Sequence, residues 1–233
     1  MQRYVSDELT HFAGRGLREE EQYALLVDTI LKSGRLGRGE KYYANLAYGV
    51  RMDKSLSSNE MLDCAMVCFC DIPVADFEIH MQKYSRFGLA FLKSLLIAKG
   101  VRPVFYVPKE DSVIKGFKDV QELYANLNQI VLGALALGEQ CPESLKLFTG
   151  KLHVGNLEFA KSIIGYLKFF DIGTTDTDPT NYYMEREWRV LGQVQFALSD
   201  VWRIIVPSEY ANRLRADLPE YTGQVTFSPK KCT

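Results

Sequence analysis

The chain has 233 residues, 47 % of them hydrophobic and 24 % charged, with a formal net charge of −1. That supply of apolar side chains is enough for a sizeable core and excludes global disorder. The balanced charge excludes the broad basic field that general nucleic-acid affinity needs, and leaves room only for a local basic site.

The N-terminus, Met1-Gln-Arg-Tyr, is no signal peptide, and no uninterrupted apolar run reaches the roughly 18 residues of a membrane span. A cytoplasmic protein without a membrane partner is expected. In chain order, Leu9–Phe12 reads as a short strand running into Ala13-Gly14-Arg15-Gly16. Arg18–Ser33 follows as an amphipathic helix with Tyr23, Leu26, Val27, Ile30 and Leu31 on one face, three glutamates in its first turn and Gly34 as its stop. Residues 35–60 are polar, aromatic and glycine-bearing, a loop-rich stretch suited to a flap over a site.

Met66–Ile72 is a continuous apolar run, read as a buried strand that Pro73 ends. Pro73–Tyr84 is a short helix, Phe87–Phe91 a strand, Leu92–Lys99 a helix closed by Gly100, and Pro103–Val107 a further strand. Helical tracts are expected over about Asp119–Leu137 and Leu157–Phe170. Strands then follow at about 182–191, 193–197 and 201–206, with a helix from Ser208 to about Asp217 and a last strand at Gln224–Phe227. Strands at both ends with helices between predict an α+β fold: one domain over 1–233, with a mainly helical insertion at about 110–172.

The five cysteines, Cys64, Cys68, Cys70, Cys141 and Cys232, are odd in number and irregular in spacing, which argues against a disulfide framework. They lack the spacing of zinc ligands, so core thiols are expected, with Cys68 buried and no metal bound. His80 and His153 are read as surface residues.

The most informative stretch is Asn181–Gly192, N-Y-Y-M-E-R-E-W-R-V-L-G, bounded by a turn signal and a glycine and read as a strand. Alternation would turn Glu185, Glu187 and Arg189 to one face and Met184, Trp188 and Val190 to the other. Two carboxylates beside an arginine suit the stabilisation of a developing cation, although a solvated face with a local ion pair has the same pattern.

Several segments resemble a known family. Cys68-Phe-Cys-Asp-Ile-Pro73, Lys83-Tyr-Ser-Arg-Phe-Gly-Leu-Ala-Phe-Leu92, Pro103-Val-Phe-Tyr-Val107 and Tyr182-Tyr-Met-Glu-Arg-Glu-Trp-Arg-Val-Leu191 are similar to the AbiGi proteins of abortive phage infection, a family labelled as antitoxin. More weakly, the order of His11, then Tyr84 or Ser85, then E-x-E resembles ADP-ribosyltransferases, including the DarT-like toxins. That second likeness implies a mixed, mainly antiparallel split sheet flanked by helices, with His11 and Glu187 opening on one cleft and NAD as substrate. It assigns Glu187 to the ribose cation, Glu185 to the acceptor, His11 to a ribose, Tyr84 or Ser85 to the nicotinamide end, and Arg15 or Arg86 to the pyrophosphate.

Three functions of different classes follow. One is an NAD-dependent ADP-ribosyltransferase of phage defence acting on a nucleic-acid or protein acceptor. The second is a non-catalytic antitoxin or phage sensor that binds a partner protein, such as a cognate toxin, through the apolar helix Asp119–Leu137. The third, a metal-dependent hydrolase on Glu185, Glu187 and Asp71, is the poorest fit, since two nearby acids make a weak magnesium site.

Overall fold

Glu8–Phe12 (β1) is the strand around which a seven-stranded sheet forms, in a computed structural model that describes residues 6–37, 65–108, 113–151, 163–175, 178 and 181–229. Its further strands are Met66–Cys70 (β3), Gly88–Leu92 (β4), Arg102–Pro103 (β5), Glu187–Leu191 (β8), Val201–Pro207 (β10) and Gln224–Ser228 (β11), β2 being a short strand described below. The spatial order is β11-β10-β4-β1-β3-β8-β5, antiparallel throughout except for the parallel pair β10 and β11. The α+β class and the mixed, mainly antiparallel sheet are as the sequence predicts.

The sheet is continuous, and its thinnest pairing is between β1 and β3. These strands share the single register pair Thr10↔Cys70, whereas β1 runs alongside β4 from Glu8↔Leu92 to Phe12↔Gly88. Next to the shared pair, His11 Nδ1 bonds the Cys68 carbonyl at 2.8 Å, so a side chain meets a backbone acceptor.

Both faces of the sheet are covered. On one, Leu9, Val67, Phe69, Leu89, Phe91 and Ile204 pack against Tyr23, Leu26, Val27 and Ile30. The latter come from the helix predicted over Arg18–Ser33, which is α-helical at Glu19–Ala24 (α1) and widens to a π-helix at Leu25–Leu31. Leu214 of Ala211–Asp217 (α6) joins the same core. On the other face Cys70, Ile205 and Phe12 meet Ile72, Phe77 and Met81, the last from Glu78–Lys83 (α2). Lys93–Ala98 (α3) follows β4.

The described residues group into two compact units, one from the spans 1–39, 66–104 and 174–233, the other from 40–65 and 105–173. The first holds the large sheet and a small antiparallel pair of Arg35–Leu36 (β2) and Val194–Gln195 (β9). The second holds a parallel pair, Phe105–Pro108 (β6) with Leu167–Phe170 (β7), the 24-residue helix Val113–Ala136 (α4), and helical residues 143–151 (α5).

Four expectations are corrected here. Leu167–Phe170 is a strand rather than the end of a helix, preceded by a 3-10 turn at Ile164–Tyr166. Pro103–Val107 is broken between two sheets, Arg102–Pro103 pairing with β8 and Phe105–Pro108 with β7. Arg35–Leu36 is a strand rather than loop. The strand expected from 182 begins at Glu187, after a 3-10 turn at Tyr182–Glu185. The flap at 38–60, helix residues 157–162, Cys64, His153 and Cys232 lie outside the described residues.

Gly34 is where the first helix must stop and reverse. Its φ is +63°, and a Cβ there would sit 2.5 Å from the Phe196 carbonyl oxygen. A left-handed conformation costs an L-residue about 1–2 kcal/mol before any clash. Gly34→Ala is predicted to lower the melting temperature by at least about 4 °C, at about 2–4 °C per kcal/mol for this size. Gly16→Ala, at φ +78° with nothing within 4 Å, carries the backbone strain alone and should cost less in the same thermal melt.

Candidate functional site

The α2 face of the sheet gathers a cluster of buried charge among the described residues. Asn181 caps the 3-10 turn Tyr182–Glu185, its side chain accepting from the Tyr183 amide. Arg186 then takes a left-handed conformation, φ 45°, and β8 begins. The bend delivers Glu185 against α2, where its Oε1 accepts from Lys83 Nζ at 2.5 Å and from the Tyr84 hydroxyl. Glu187, two residues on, points its Oε1 at Arg189 Nε, 2.8 Å away, and Nη2, 2.7 Å away.

These side chains are almost closed to solvent: Glu185 is 4 % exposed, Glu187 5 % and Arg189 3 %. Burial opposes the Arg189 charge, but the Glu187 carboxylate and the Cys68 sulfur outweigh it and hold the guanidinium protonated. Burial, then the Glu185 charge, pushes the Tyr84 hydroxyl far above its ordinary range, so it remains a donor. Burial likewise raises the Cys70 thiol, which keeps it protonated and inert. Arg15, exposed, stands 5.4 Å over the Tyr84 ring, and His80 stacks on the same ring with centroids 6.5 Å apart.

The other expected site residues go elsewhere. His11 pairs across the sheet with Leu89 and edges onto Phe69, both on the α1 face, whereas Glu187 aligns with Cys70 and so with Thr10. Adjacent residues of β1 alternate faces. His11 and Glu187 therefore lie on opposite faces and share no cleft, against expectation. Ser85 is buried, donating to Gln22 Oε1 at 3.1 Å and accepting from the Phe87 amide at 2.9 Å. Arg86 is buried too, held by the Pro229 carbonyl, Glu19 and Glu209 at 2.9, 2.9 and 3.3 Å. The structure thus brings together Glu185, Glu187, Tyr84 and Arg15, and separates His11, Ser85 and Arg86 from them.

Lys83, His80 and Arg189 belong to this cluster; the sequence places only Arg189 beside the two carboxylates, and Lys83 and His80 were missed. The i, i+2 spacing of Arg189 after Glu187 was a visible signal for the pair. Lys83 and His80 had none, because nothing local shows what a short helix faces. His80, expected at the surface, is buried with Nδ1 lacking a partner. Cys70 is buried, but Cys68 is only half-buried. Among the described residues no group of three or more His, Cys, Asp or Glu is arranged to hold a metal ion, and no helix is long and apolar enough to cross a membrane.

A family model described as "Putative abortive phage resistance protein AbiGi, antitoxin" matches residues 42–222. No curated protein and no solved structure matches the chain.

Breaking a buried ion pair by removing one partner typically costs about 3–5 kcal/mol, because the other charge is stranded. Glu187→Gln is therefore predicted to lower folding stability by roughly that amount in urea titration. Replacing both partners, Glu187→Leu with Arg189→Met, should recover most of the loss.

A pH dependence follows from the histidines. Burial lowers both His11 and His80 below the ordinary 6.5, against the Cys68 carbonyl in the first case and Glu185 in the second. Above about pH 6.5 both rings are neutral folded and unfolded, and contribute nothing to the pH slope. Below it the unfolded chain takes up protons that the folded chain refuses, so stability falls as the pH falls. Urea midpoints from pH 7.5 to 5 should decline, and His80→Gln should flatten the decline.

Proposed function

Because the chain belongs to the AbiGi family, described as an antitoxin of abortive phage resistance, we propose that it acts without catalysis, by binding a cognate toxin protein. The observation that supports this best is the C-terminal half of α4. From Leu123 to Leu137 the sequence LYANLNQIVLGALAL has no charged residue. Val131 and Ala134 are buried, but Leu123, Ile130, Leu132 and Leu135 are exposed, Leu135 to 66 %. At about 100° per residue, Leu132 lies nearly opposite Ala134. From Ile130 to Ala136 the helix is apolar on all sides, and such a stretch is ordinarily buried. Here its own chain covers one side.

Depletion of charge around exposed leucines marks the centre of a protein interface rather than an ordinary surface. Leucines on successive turns are also the anchors with which a helix fills a groove. The buried Glu185 and Glu187 fit this reading, since both already have cationic partners. A catalytic reading would run on Glu187 and Glu185, with Tyr84 and Arg15, on NAD as substrate. It lacks the contributions expected of His11, Ser85 and Arg86.

Cells expressing the cognate toxin should grow when the wild-type chain is co-expressed and stop when it carries Leu132→Glu and Leu135→Glu. The double variant should melt within about 4 °C of wild type, since exposed substitutions usually change stability by less than about 0.5 kcal/mol each. The catalytic alternative has its own arm. The purified chain should leave NAD intact, and NAD turnover that Arg15→Ala abolishes in a folded protein would replace the antitoxin reading with an enzymatic one.

A further inference from the structure

A second surface feature lies in the unit that carries the large sheet. Where β4 ends and β10 and β11 begin, a solvent-open cleft of about 910 Å³ separates the start of α3 from the segment before β11. Leu92, Leu95 and Leu198 form its apolar floor. Leu95 and Leu198 rest directly on the main core, so the floor is fixed by packing.

Two aromatic rings stand at the cleft, and both are held in place. Trp202, 40 % exposed, donates its Nε1–H to Glu8 Oε1 at 3.1 Å. Glu8 is itself fixed by Arg203, with Nε and Nη2 both at 2.8 Å. The Tyr221 hydroxyl donates to the Gln224 carbonyl at 3.0 Å, and its ring lies so close over Gly223 that a Cβ there would fall 2.3–2.7 Å from it. Gly223 is thus the residue that lets the tyrosine stand where it does.

Among the described residues the charged groups lining the cleft are Asp200 and Glu220. Arg203, beside the lining and close enough to act on the Tyr221 hydroxyl, is matched by Glu8. Asp200 accepts the Ala197 amide through Oδ2 at 3.0 Å. Glu220 makes no hydrogen bond or ion pair among the described residues, although Lys32, outside the cleft, feels its charge. Aromatic faces attract cations, carboxylates attract them further, and a leucine floor takes up an aliphatic stem.

We propose that this cleft binds an organic cation on an apolar stem, a guanidinium or ammonium lodged between Trp202, Tyr221 and the Asp200 and Glu220 carboxylates. The volume suits a ligand of drug size or a short peptide segment. The proposal does not depend on the antitoxin reading, since it concerns other residues and is tested without the toxin.

The test is titration of the purified full chain by calorimetry and tryptophan fluorescence. Three probes are used: acetyl-Leu-Arg-Leu-amide, the same peptide with Glu in place of Arg, and spermidine. The arginine peptide or spermidine should bind and quench or shift the emission, while the glutamate peptide should do neither. Binding of the arginine peptide alone identifies a protein side chain as the source of the cation; binding of spermidine alone identifies a free polyamine. Glu220→Gln should weaken the bound cation about fivefold, the value of one partly exposed ion pair, and Asp200→Asn with Glu220→Gln further. Gly223→Ala should weaken it by displacing Tyr221, and Glu139→Gln, an exposed carboxylate elsewhere, should leave it unchanged. No response to either cation up to about 5 mM, which is weaker than any useful recognition, overturns the proposal. Equal binding of the glutamate peptide, or an equal loss in Glu139→Gln, overturns it too.

Discussion

The Asp71 carboxylate ties together four segments that are distant in sequence. Its Oδ1 accepts the Ser6 amide at 3.2 Å, just before β1, and its Oδ2 receives Lys93 Nζ at 2.8 Å, from the first residue of α3. Arg186 Nη2 lies 3.6 Å from the same oxygen, and the Asp71 amide donates to the Arg186 carbonyl at 3.2 Å. Left-handed backbone at Arg186 costs about 1–2 kcal/mol, and these two contacts hold it together with its own amide, which donates to the Tyr183 carbonyl at 3.3 Å. From that bend follow the end of the 3-10 turn, the start of β8 and the separate destinations of Glu185 and Glu187. Lys93, seated on Asp71, also stands 5.4 Å over the Trp188 ring and so covers the strand the bend begins.

Several buried charges among the described residues are paired at close range. Glu185 with Lys83 and Glu187 with Arg189 occupy one face of the sheet, while Arg86 is enclosed by Glu19, Glu209 and a carbonyl. Such pairs are poor sources of net stability, because desolvation offsets most of their attraction. They are strict about geometry, however: a slip of one residue in β8 would turn Glu187 and Arg189 into the apolar core. The exposed apolar surface of α4 belongs to the other compact unit. Buried charge here specifies the sheet, and exposed apolar surface is what a partner would recognise.

The strands of the large sheet were legible because their β-branched and aromatic runs are short and bounded by Gly or Pro. Period-2 alternation gives the two faces of each strand. It does not give the register between strands, and for that reason His11 and Glu187 were expected in one cleft although the pairing of Thr10 with Cys70 separates them. Leu167-Lys-Phe-Phe170 was read as helix because a short apolar run fits either period, and its parallel partner β6 lies some sixty residues earlier. The transferase likeness offers Arg86 beside Arg15 for the pyrophosphate, because nothing adjacent in sequence shows that Glu19, Glu209 and Pro229 enclose Arg86. The abundance of apolar residues on α4 was readable, and the carboxylate pair was visible as E-x-E. What those carboxylates touch was not.

The position of β10 bears on how the chain is made. β4 is flanked by β1, which precedes it in the chain, and by β10, which comes from residues 201–207, more than a hundred residues after β4 itself. Arg86 waits still longer, for the carbonyl of Pro229. At 5–20 residues per second, one edge of β4 is bare for on the order of ten seconds of translation. During that interval Leu89 and Phe91 have neighbours on one side only. Pairings this distant also make for slow closure once synthesis ends. The nascent chain is therefore a natural client for cellular chaperones, and its yield should respond to translation speed more than to the stability of the finished fold.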